Sequence, residues 1–225
     1  MVYLSRLMLN WRSRQAVRDL DNVYDLHRTL LRAFPGKAQG GPGRVLFRVE
    51  PEQHAGAIMV LVQSELEPAW DRLPGAPREL RYTARPPDVR CFEPVFETGQ
   101  DLRFRLRANP TRRLGSASPH AGKRLGLLGE AAQIEWLARK GGAHGFELLS
   151  RREGGQMVDS VRITAEGLVR GRCDGRTITF LSVLFDGLLR VTDADRFATA
   201  VEQGIGSGKG FGFGLLSIAP PEAGG

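Results

Sequence analysis

The chain has 225 residues, and its 32 lysines and arginines exceed its 25 aspartates and glutamates by 32 − 25 = 7 charges. With 41% hydrophobic residues it can bury an ordinary core, which excludes a disordered chain. No apolar run reaches the roughly 18 residues of a membrane-spanning helix, and the N-terminus has no signal-peptide core, so we expect a cytoplasmic protein without a membrane partner. The positive net charge favours a polyanionic partner, above all nucleic acid.

The first half of the sequence alternates strand and helix patterns. Residues 3–9 predict a strand, residues 10–14 a loop, and a helix follows with Asn22 as its N-cap, ending at Pro35 and Gly36. Three further segments have the composition of strands: residues 44–49, 57–63 and 79–84. With a less regular helix before the last of them, this order predicts the ferredoxin-like βαββαβ plan.

The second half repeats the plan less regularly. The run Arg85-Pro86-Pro87-Asp88 predicts an extended linker, which divides the chain into domains 1–88 and 89–225. After it come a strand at 102–108, a helix at 130–140 closed by Gly141-Gly142, and short strands between 146 and 191. A last helix begins after Asp193 and runs to Gln203, and a strand follows at 212–218. We predict an α+β protein with two tandem ferredoxin-like (RRM-like) βαββαβ domains.

The first predicted helix carries a tyrosine and a histidine that could act together. Tyr24 and His27 are three residues apart, so their side chains project from one side, at the exposed edge of the apolar stripe. Arg28 and Arg32 continue the same arc. Imidazole transfers protons near neutral pH and guanidinium stabilises phosphate charge, which suits phosphodiester chemistry. A surface tyrosine and histidine on a basic helix is the alternative interpretation.

Residues 102–129 contain no acidic residue but several arginines. Strand alternation places Arg103, Arg105 and Arg107 on one face, and Arg112 and Arg113 follow. Three like charges on one face repel each other unless an anion lies across them, which predicts a track for the phosphate backbone of RNA. The alternative is a solvated edge strand whose charges prevent aggregation.

A glycine-rich segment at residues 204–214 contains Gly208-Lys209-Gly210. It is not a Walker loop, because Gln203 stands where the first glycine is required and Gly210 where serine or threonine is required. What remains is exposed backbone with one lysine, which can lie close against an RNA strand.

Ligands for a metal ion are not apparent. The four histidines, His27, His54, His120 and His144, lie far apart in the sequence without ligand spacing. The two cysteines form no C-x-x-C pair. We therefore expect neither a metal nor a small-molecule cofactor.

Four blocks, in order along nearly the whole chain, carry a resemblance to a known family. They are Tyr24-Asp25-Leu26-His27 leading to Phe34-Pro35, Phe104-Arg105-Leu106-Arg107-Ala108-Asn109-Pro110, Ala132-Gln133-Ile134-Glu135-Trp136-Leu137, and the segment from Gly204-Ile205-Gly206 through Lys209 and Gly214-Leu215-Leu216-Ser217 to Ala219-Pro220. Together they resemble the CasE-type CRISPR endoribonucleases.

The resemblance implies two ferredoxin-like domains that bind the stem-loop of a CRISPR repeat RNA and cut at the base of the stem. It also implies that the product stays bound within a Cascade surveillance complex, beside the other Cascade subunits. By position, Tyr24 and His27 match the active-site residues of the family, and Lys209 matches the lysine of its glycine-rich loop. Arg32 stands where a basic residue is common.

Our hypothesis is a metal-independent endoribonuclease that cleaves precursor CRISPR RNA by attack of the 2′-hydroxyl, leaving a cyclic phosphate. His27 would protonate the leaving oxygen and Tyr24 would orient or help to deprotonate the nucleophile. Lys209, Arg28 or Arg32 would stabilise the phosphorane. The alternatives are a non-catalytic RNA-binding subunit of the same fold and a structural subunit of Cascade or of a ribosome-type assembly.

Overall fold

The computed structural model of the protein describes residues 1–54, 57–75, 81–115, 121–153, 156–173 and 175–221. The chain divides into two compact units. The first consists of Met1–Pro94, Arg170–Ile178 and Lys209–Leu215, and the second of the remaining described residues. The boundary that we predict between residues 88 and 89 therefore falls inside the first unit. Within the described ranges, no helix is long and apolar enough to cross a membrane.

The first unit is built on a four-stranded antiparallel sheet with strand order β2-β3-β1-β4. Its helices and strands are β1 (Val2–Asn10), α1 (Arg14–Asp21), α2 (Val23–Leu30), β2 (Val45–His54), β3 (Ala57–Ser64) and β4 (Asp88–Phe92). Alternate residues of β1 and β2, such as Leu7 and Phe47, point into a core that also receives Leu26 and Leu30 of α2. This strand order is that of the βαββαβ plan, with a short 3-10 helix, Trp70–Arg72, in the connection between β3 and β4.

The predicted first strand and the strands at 44–49 and 57–63 are confirmed as β1, β2 and β3. The helix α1 was not predicted; it begins where the Ser13 hydroxyl accepts a hydrogen bond from the Ala16 N–H. The predicted strand at 79–84 is wrong for its described part, residues 81–84, which form only an isolated bridge from Thr83 to Leu9. Residues 79 and 80 lie outside the described residues. The edge strand is instead β4, which begins at Asp88, the last residue of the predicted linker, and pairs with β1. Pro86 and Pro87 cannot donate to a ladder, so the strand begins only after them.

The second unit repeats the same topology with insertions. Its elements are β5 (Asp101–Ala108), β6 (Thr111–Arg113), β7 (Arg124–Gly126), α3 (Glu130–Ala143), β8 (Phe146–Leu148), β9 (Ser150–Glu153), β10 (Gln156–Asp159), β11 (Val161–Cys173), β12 (Arg176–Val191), α4 (Ala194–Gln203) and β13 (Leu216–Ala219). The main sheet has the order β11-β12-β5-β13, with β8 also paired to β12. The ribbons β6–β7 and β9–β10 are separate two-stranded sheets. The fold class, α+β with two ferredoxin-like units, is confirmed.

Two details of the second unit differ from the prediction. Gly141 and Gly142 do not end α3, which continues to Ala143. Gly141 is needed for close packing instead, because a Cβ at this position would lie 2.5 Å from the carbonyl oxygen of Phe146. The last strand begins at Leu216 rather than at residue 212, since the residues before it form a 3-10 turn, Lys209–Phe211, and a loop.

Candidate active site

Tyr24 and His27 lie on α2, which is anchored in the core of the first unit by the fully buried Leu26 and Leu30. The His27 ring stacks on Phe47 of β2, with centroids 5.7 Å apart and planes 11° from parallel. The centroids of Tyr24 and His27 are 6.4 Å apart. Both rings therefore project from the same side of one short helix.

The glycine-rich segment joins this helix within the first unit. A Cβ on Gly210 would lie only 3.2 Å from His27 Cδ2, and one on Gly212 only 3.3 Å from Phe47 Cε2. Gly212 also has a φ of +81°, where side chains are strained. A side chain at position 210 would crowd the imidazole, and Lys209 precedes Gly210 directly in this segment. Gly208, which is also predicted to bind RNA, has a φ of +82°. It belongs to the second unit.

An aromatic contact between Phe211 and Tyr24 also holds the glycine-rich segment against α2. Phe211 is buried and stacks on Tyr24, with centroids 5.3 Å apart and planes 25° from parallel. Sequence reasoning missed Phe211 and Phe47. The signal that could have found Phe211 is a large apolar residue inside a glycine run, because a loop that only contacts solvent or RNA has no need of one.

A buried arginine fixes the end of this segment. Arg48 of β2 is 1% exposed, forms an ion pair of 2.7 Å with Glu50, and donates a hydrogen bond of 3.2 Å to the carbonyl oxygen of Leu215. Breaking a buried ion pair of this kind typically costs about 3–5 kcal/mol, because the remaining charge is left in the core. Arg48 therefore secures the glycine-rich segment to the strand that also carries Phe47.

The surroundings of His27 differ from the exposed helix edge that the sequence predicts. The residue is half-buried, and its Nδ1 atom is buried without a hydrogen-bond partner among the residues that the structure describes. Burial lowers the pKa of His27 below its usual value. An imidazolium would place an N–H donor at the buried Nδ1 position, so the free protein favours a neutral His27.

The two arginines of the predicted arc follow Tyr24 and His27 along the same helical segment, and both are exposed. Arg28 is on α2 with a side chain that is 71% exposed, 3.7 Å from the Asp25 carboxylate. Arg32 is exposed in the 3-10 helix Leu31–Ala33 that continues α2. Both lie on the segment that carries Tyr24 and His27, as predicted.

The basic face of β5 is partly neutralised. Arg103, Arg105 and Arg107 do share one face, opposite the buried Leu102, Phe104 and Leu106, as predicted. However, Arg105 pairs with Asp186 at 2.6 Å, and Arg107 makes a bidentate pair with Glu166 at 2.6 and 2.7 Å.

The absence of acidic residues in 102–129 predicts that the charges of these arginines are not compensated. This prediction is wrong, because Glu166 of β11 and Asp186 of β12 pair with two of them, although both are far away in the sequence. The alternative of an edge strand is also wrong, since β5 lies between β12 and β13. The RNA-binding role of the three arginines stays a prediction.

A second group of arginines lies on the ribbon β6–β7. Arg113 stands directly opposite Arg124, and Arg112 is its neighbour on the same strand; all three are exposed. Like charges directly opposite each other destabilise a two-stranded ribbon unless an anion lies between them. This ribbon is therefore a better candidate for phosphate contact than the Arg107 end of β5.

A metal site is not formed by the residues that the structure describes: no three His, Cys, Asp or Glu side chains are grouped there. His120 and the side chains of His54 and Cys173 lie outside this description. Cys91 is a free, exposed thiol.

Sequence comparison extends over the whole chain. The family model described as "CRISPR associated protein" matches residues 2–220. The chain belongs to this family. A curated member, the CRISPR-associated endoribonuclease Cse3 of Thermus thermophilus, is 37% identical over 221 residues, 97% of this chain and 100% of the relative. The Cascade subunit CasE of Escherichia coli is 31% identical over 226 residues, with the same coverage. The expected resemblance to CasE-type proteins is confirmed.

Solved structures of relatives have the same fold. Cse3 bound to a 19-nucleotide RNA superposes with a TM-score of 0.83 at 38% identity, covering 97% of this chain and 100% of that one. A chain of a CRISPR RNA-guided surveillance complex superposes with a TM-score of 0.68 at 31% identity, with the same coverage. Cas6e of Escherichia coli gives 0.67 at 28% identity, covering 98% and 100%.

Proposed function

We propose that this protein is a metal-independent endoribonuclease of CRISPR defence. It binds the repeat stem-loop of precursor CRISPR RNA, cuts it, and stays with the product in a Cascade complex in the cytoplasm, where the transcript is made. The observation that carries the proposal is that Tyr24, His27 and Lys209 come together in one unit, although His27 and Lys209 are 209 − 27 = 182 residues apart. Relatives named as an endoribonuclease and as a Cascade subunit, each covered over its full length, support it.

The chemistry is an intramolecular transesterification. The 2′-oxygen forms a bond to phosphorus and releases its proton to solvent water, and the bond from phosphorus to the 5′-oxygen breaks. The 5′-oxygen takes a proton from His27 in its imidazolium form, which leaves His27 neutral. The products are a 2′,3′-cyclic phosphate and a 5′-hydroxyl. Tyr24 orients the nucleophile, because a phenol with an ordinary pKa near 10 is a poor base at pH 7. Lys209, with Arg28 or Arg32, stabilises the charge on the phosphorane.

The function is tested by incubating the protein with a synthetic RNA that carries the repeat of its own CRISPR array, in buffer with EDTA. We expect cleavage at one position, with a cyclic phosphate on the upstream fragment. Binding without cleavage would instead favour the non-catalytic RNA-binding subunit. Absence of repeat-specific binding would favour a purely structural subunit.

RNA binding should be coupled to proton uptake at His27. Burial lowers the pKa of His27 in the free protein, and a phosphate placed beside the ring raises it again. At a pH between these two pKa values, His27 is protonated in the complex but neutral in the free protein. The affinity for uncleavable RNA should therefore increase as the pH falls through the pKa of His27 in the complex. Calorimetry in buffers of different ionisation enthalpy measures the uptake. His27→Gln should abolish it, and equal uptake in both proteins would contradict the assignment.

Lys209 should contribute as a positive charge. Lys209→Ala should reduce RNA affinity or cleavage rate by about tenfold or more, as for loss of a charge-assisted hydrogen bond, whereas Lys209→Arg should retain most of both. Lys37→Ala, which removes an exposed lysine elsewhere in the first unit, is the matched control. Equal losses in the two Lys209 variants would mean that the segment is structural and the lysine incidental.

The salt dependence of binding should distinguish the two groups of arginines. Arg113→Ala should reduce the slope of log K against log salt by about one unit, because it removes one phosphate contact. Arg107→Ala should change the slope less than Arg113→Ala does, since Glu166 already balances its charge. Titrations at several salt concentrations measure both. A reduced slope in Arg107→Ala together with an unchanged slope in Arg113→Ala would mean that β5, and not the β6–β7 ribbon, contacts the phosphates.

A further inference from the structure

The strands β11 and β12 form a hairpin whose tip consists of residues Arg170–Ile178. This tip belongs to the first unit and packs against the candidate active site. Two neighbouring residues of β11 make the contacts. The N–H of Arg172 donates a hydrogen bond of 3.1 Å to Asn22 Oδ1, and the buried Gly171 faces the ring of Phe211. Neither Asn22 nor Gly171 has a part in the chemistry described above.

Asn22 occupies the N-cap position of α2, but its side chain does not cap its own helix. Its Oδ1 accepts the hydrogen bond from Arg172, and its Nδ2 donates one of 2.6 Å to Asp25 Oδ2. The side chain therefore ties the first turn of α2, which contains Tyr24, to the hairpin tip. Asparagine is suited to this arrangement because one amide group supplies both an acceptor and a donor.

Gly171 lets the backbone of β11 lie against the Phe211 ring. A Cβ at this position would lie 2.8 Å from Phe211 Cδ1, closer still to Cε1, and 3.3 Å from Asn22 Oδ1. Its φ is not in the left-handed region, so an alanine would be strained only by these contacts. Phe211 in turn stacks on Tyr24. Any side chain at position 171 would therefore displace the Phe211 ring that stacks on Tyr24.

We propose that Asn22 and Gly171 are positioning residues for RNA cleavage. Asn22 fixes the first turn of α2, and the absence of a side chain at Gly171 leaves room for Phe211, which stacks on the Tyr24 ring. The hairpin tip thus sets the orientation of the group that aligns the RNA nucleophile. This inference rests on the proposed endoribonuclease function.

The test compares single-turnover cleavage with binding of a cleavage-blocked repeat RNA. Gly171→Ala and Asn22→Ser should each slow cleavage by about 10- to 100-fold, as expected for a misplaced catalytic group, with little change in affinity. Asn22→Ser keeps a good N-cap residue but is too short to reach Arg172, so it stays informative if Gly171→Ala does not fold. Gly142→Ala, where a Cβ meets nothing within 4 Å and φ is not positive, is the matched control and should cleave at the wild-type rate.

A swapped pair provides the rescue. Combining Asn22→Asp with Asp25→Asn reverses the hydrogen bond between the two side chains and keeps an acceptor for the Arg172 N–H, so cleavage should recover. A purely structural weakening of the helix would not be repaired by this exchange. Wild-type cleavage rates in both Gly171→Ala and Asn22→Ser would overturn the proposal. A swapped pair that cleaves as slowly as Asn22→Ser would also overturn it.

A second readout does not depend on cleavage. The chain has three tyrosines, Tyr3, Tyr24 and Tyr82, so protein labelled with 3-fluorotyrosine should give three ¹⁹F resonances, assigned with Tyr24→Phe. Gly171→Ala should move the Tyr24 resonance and leave the other two in place. An unmoved Tyr24 resonance would overturn the placement of the ring. If wild-type protein cuts no repeat RNA, the proposed function fails while this readout still tests the contact.

Discussion

Replacing His27 with alanine should reduce the single-turnover rate of RNA cleavage by roughly 10²–10⁴-fold, the usual cost of removing a general acid. Affinity for repeat RNA should persist, because the arginines and Lys209 remain. Cleavage rate and the dissociation constant of uncleavable RNA are the two measurements. A parallel loss of both would mean that His27 serves binding rather than proton transfer.

The structure adds a control for this experiment. The His27 ring stacks on Phe47 and is half-buried, so alanine also leaves a gap beside the core. His27→Gln fills more of that space but cannot transfer protons as imidazole does. We expect His27→Gln to be closer to wild type in thermal stability and as inactive as His27→Ala. Recovery of cleavage in His27→Gln would show that packing, not proton transfer, is what alanine removes.

A single 2′-deoxy substitution at the cleaved nucleotide should abolish cleavage and leave binding intact. The reason is that the nucleophile is a hydroxyl group of the RNA, so its removal stops the reaction before any protein group can contribute. Gel analysis of the products and a binding titration with the same RNA measure the two effects. A deoxy substitution one nucleotide away is the control and should be cut normally. Cleavage of the substituted bond would show that water is the nucleophile and that the proposed transesterification is wrong.

Local patterns predicted most of the fold. The apolar alternation of β1, β2, β3 and β5 identified these strands, and the spacing after Asp193 identified α4, because period and caps depend on neighbouring residues. The shared helix of Tyr24 and His27 followed from their separation by three residues. The family blocks brought Lys209 into the same hypothesis, since no local pattern connects it with a helix 182 residues away (209 − 27).

What the sequence did not predict depends on contacts between distant residues. Glu166 and Asp186 neutralise Arg107 and Arg105 only after the strands pair, so the run without acids misled us about the β5 face. The burial of His27 has the same origin. Its helix position indicates an exposed edge, but Phe47 and Gly210 come from other segments and cover the ring.

The three-part composition of the first unit has a consequence for how the enzyme is made. Its sheet and helices come from Met1–Pro94, but the chain must extend through Arg170–Ile178 and Lys209–Leu215 before the unit is complete. During synthesis the N-terminal sheet can form early, whereas the backbone beside His27 is added only when residue 210 has left the ribosome. A nascent or truncated chain that stops before this point has His27 but lacks Lys209. Nuclease activity therefore arises only after nearly the whole chain has been translated.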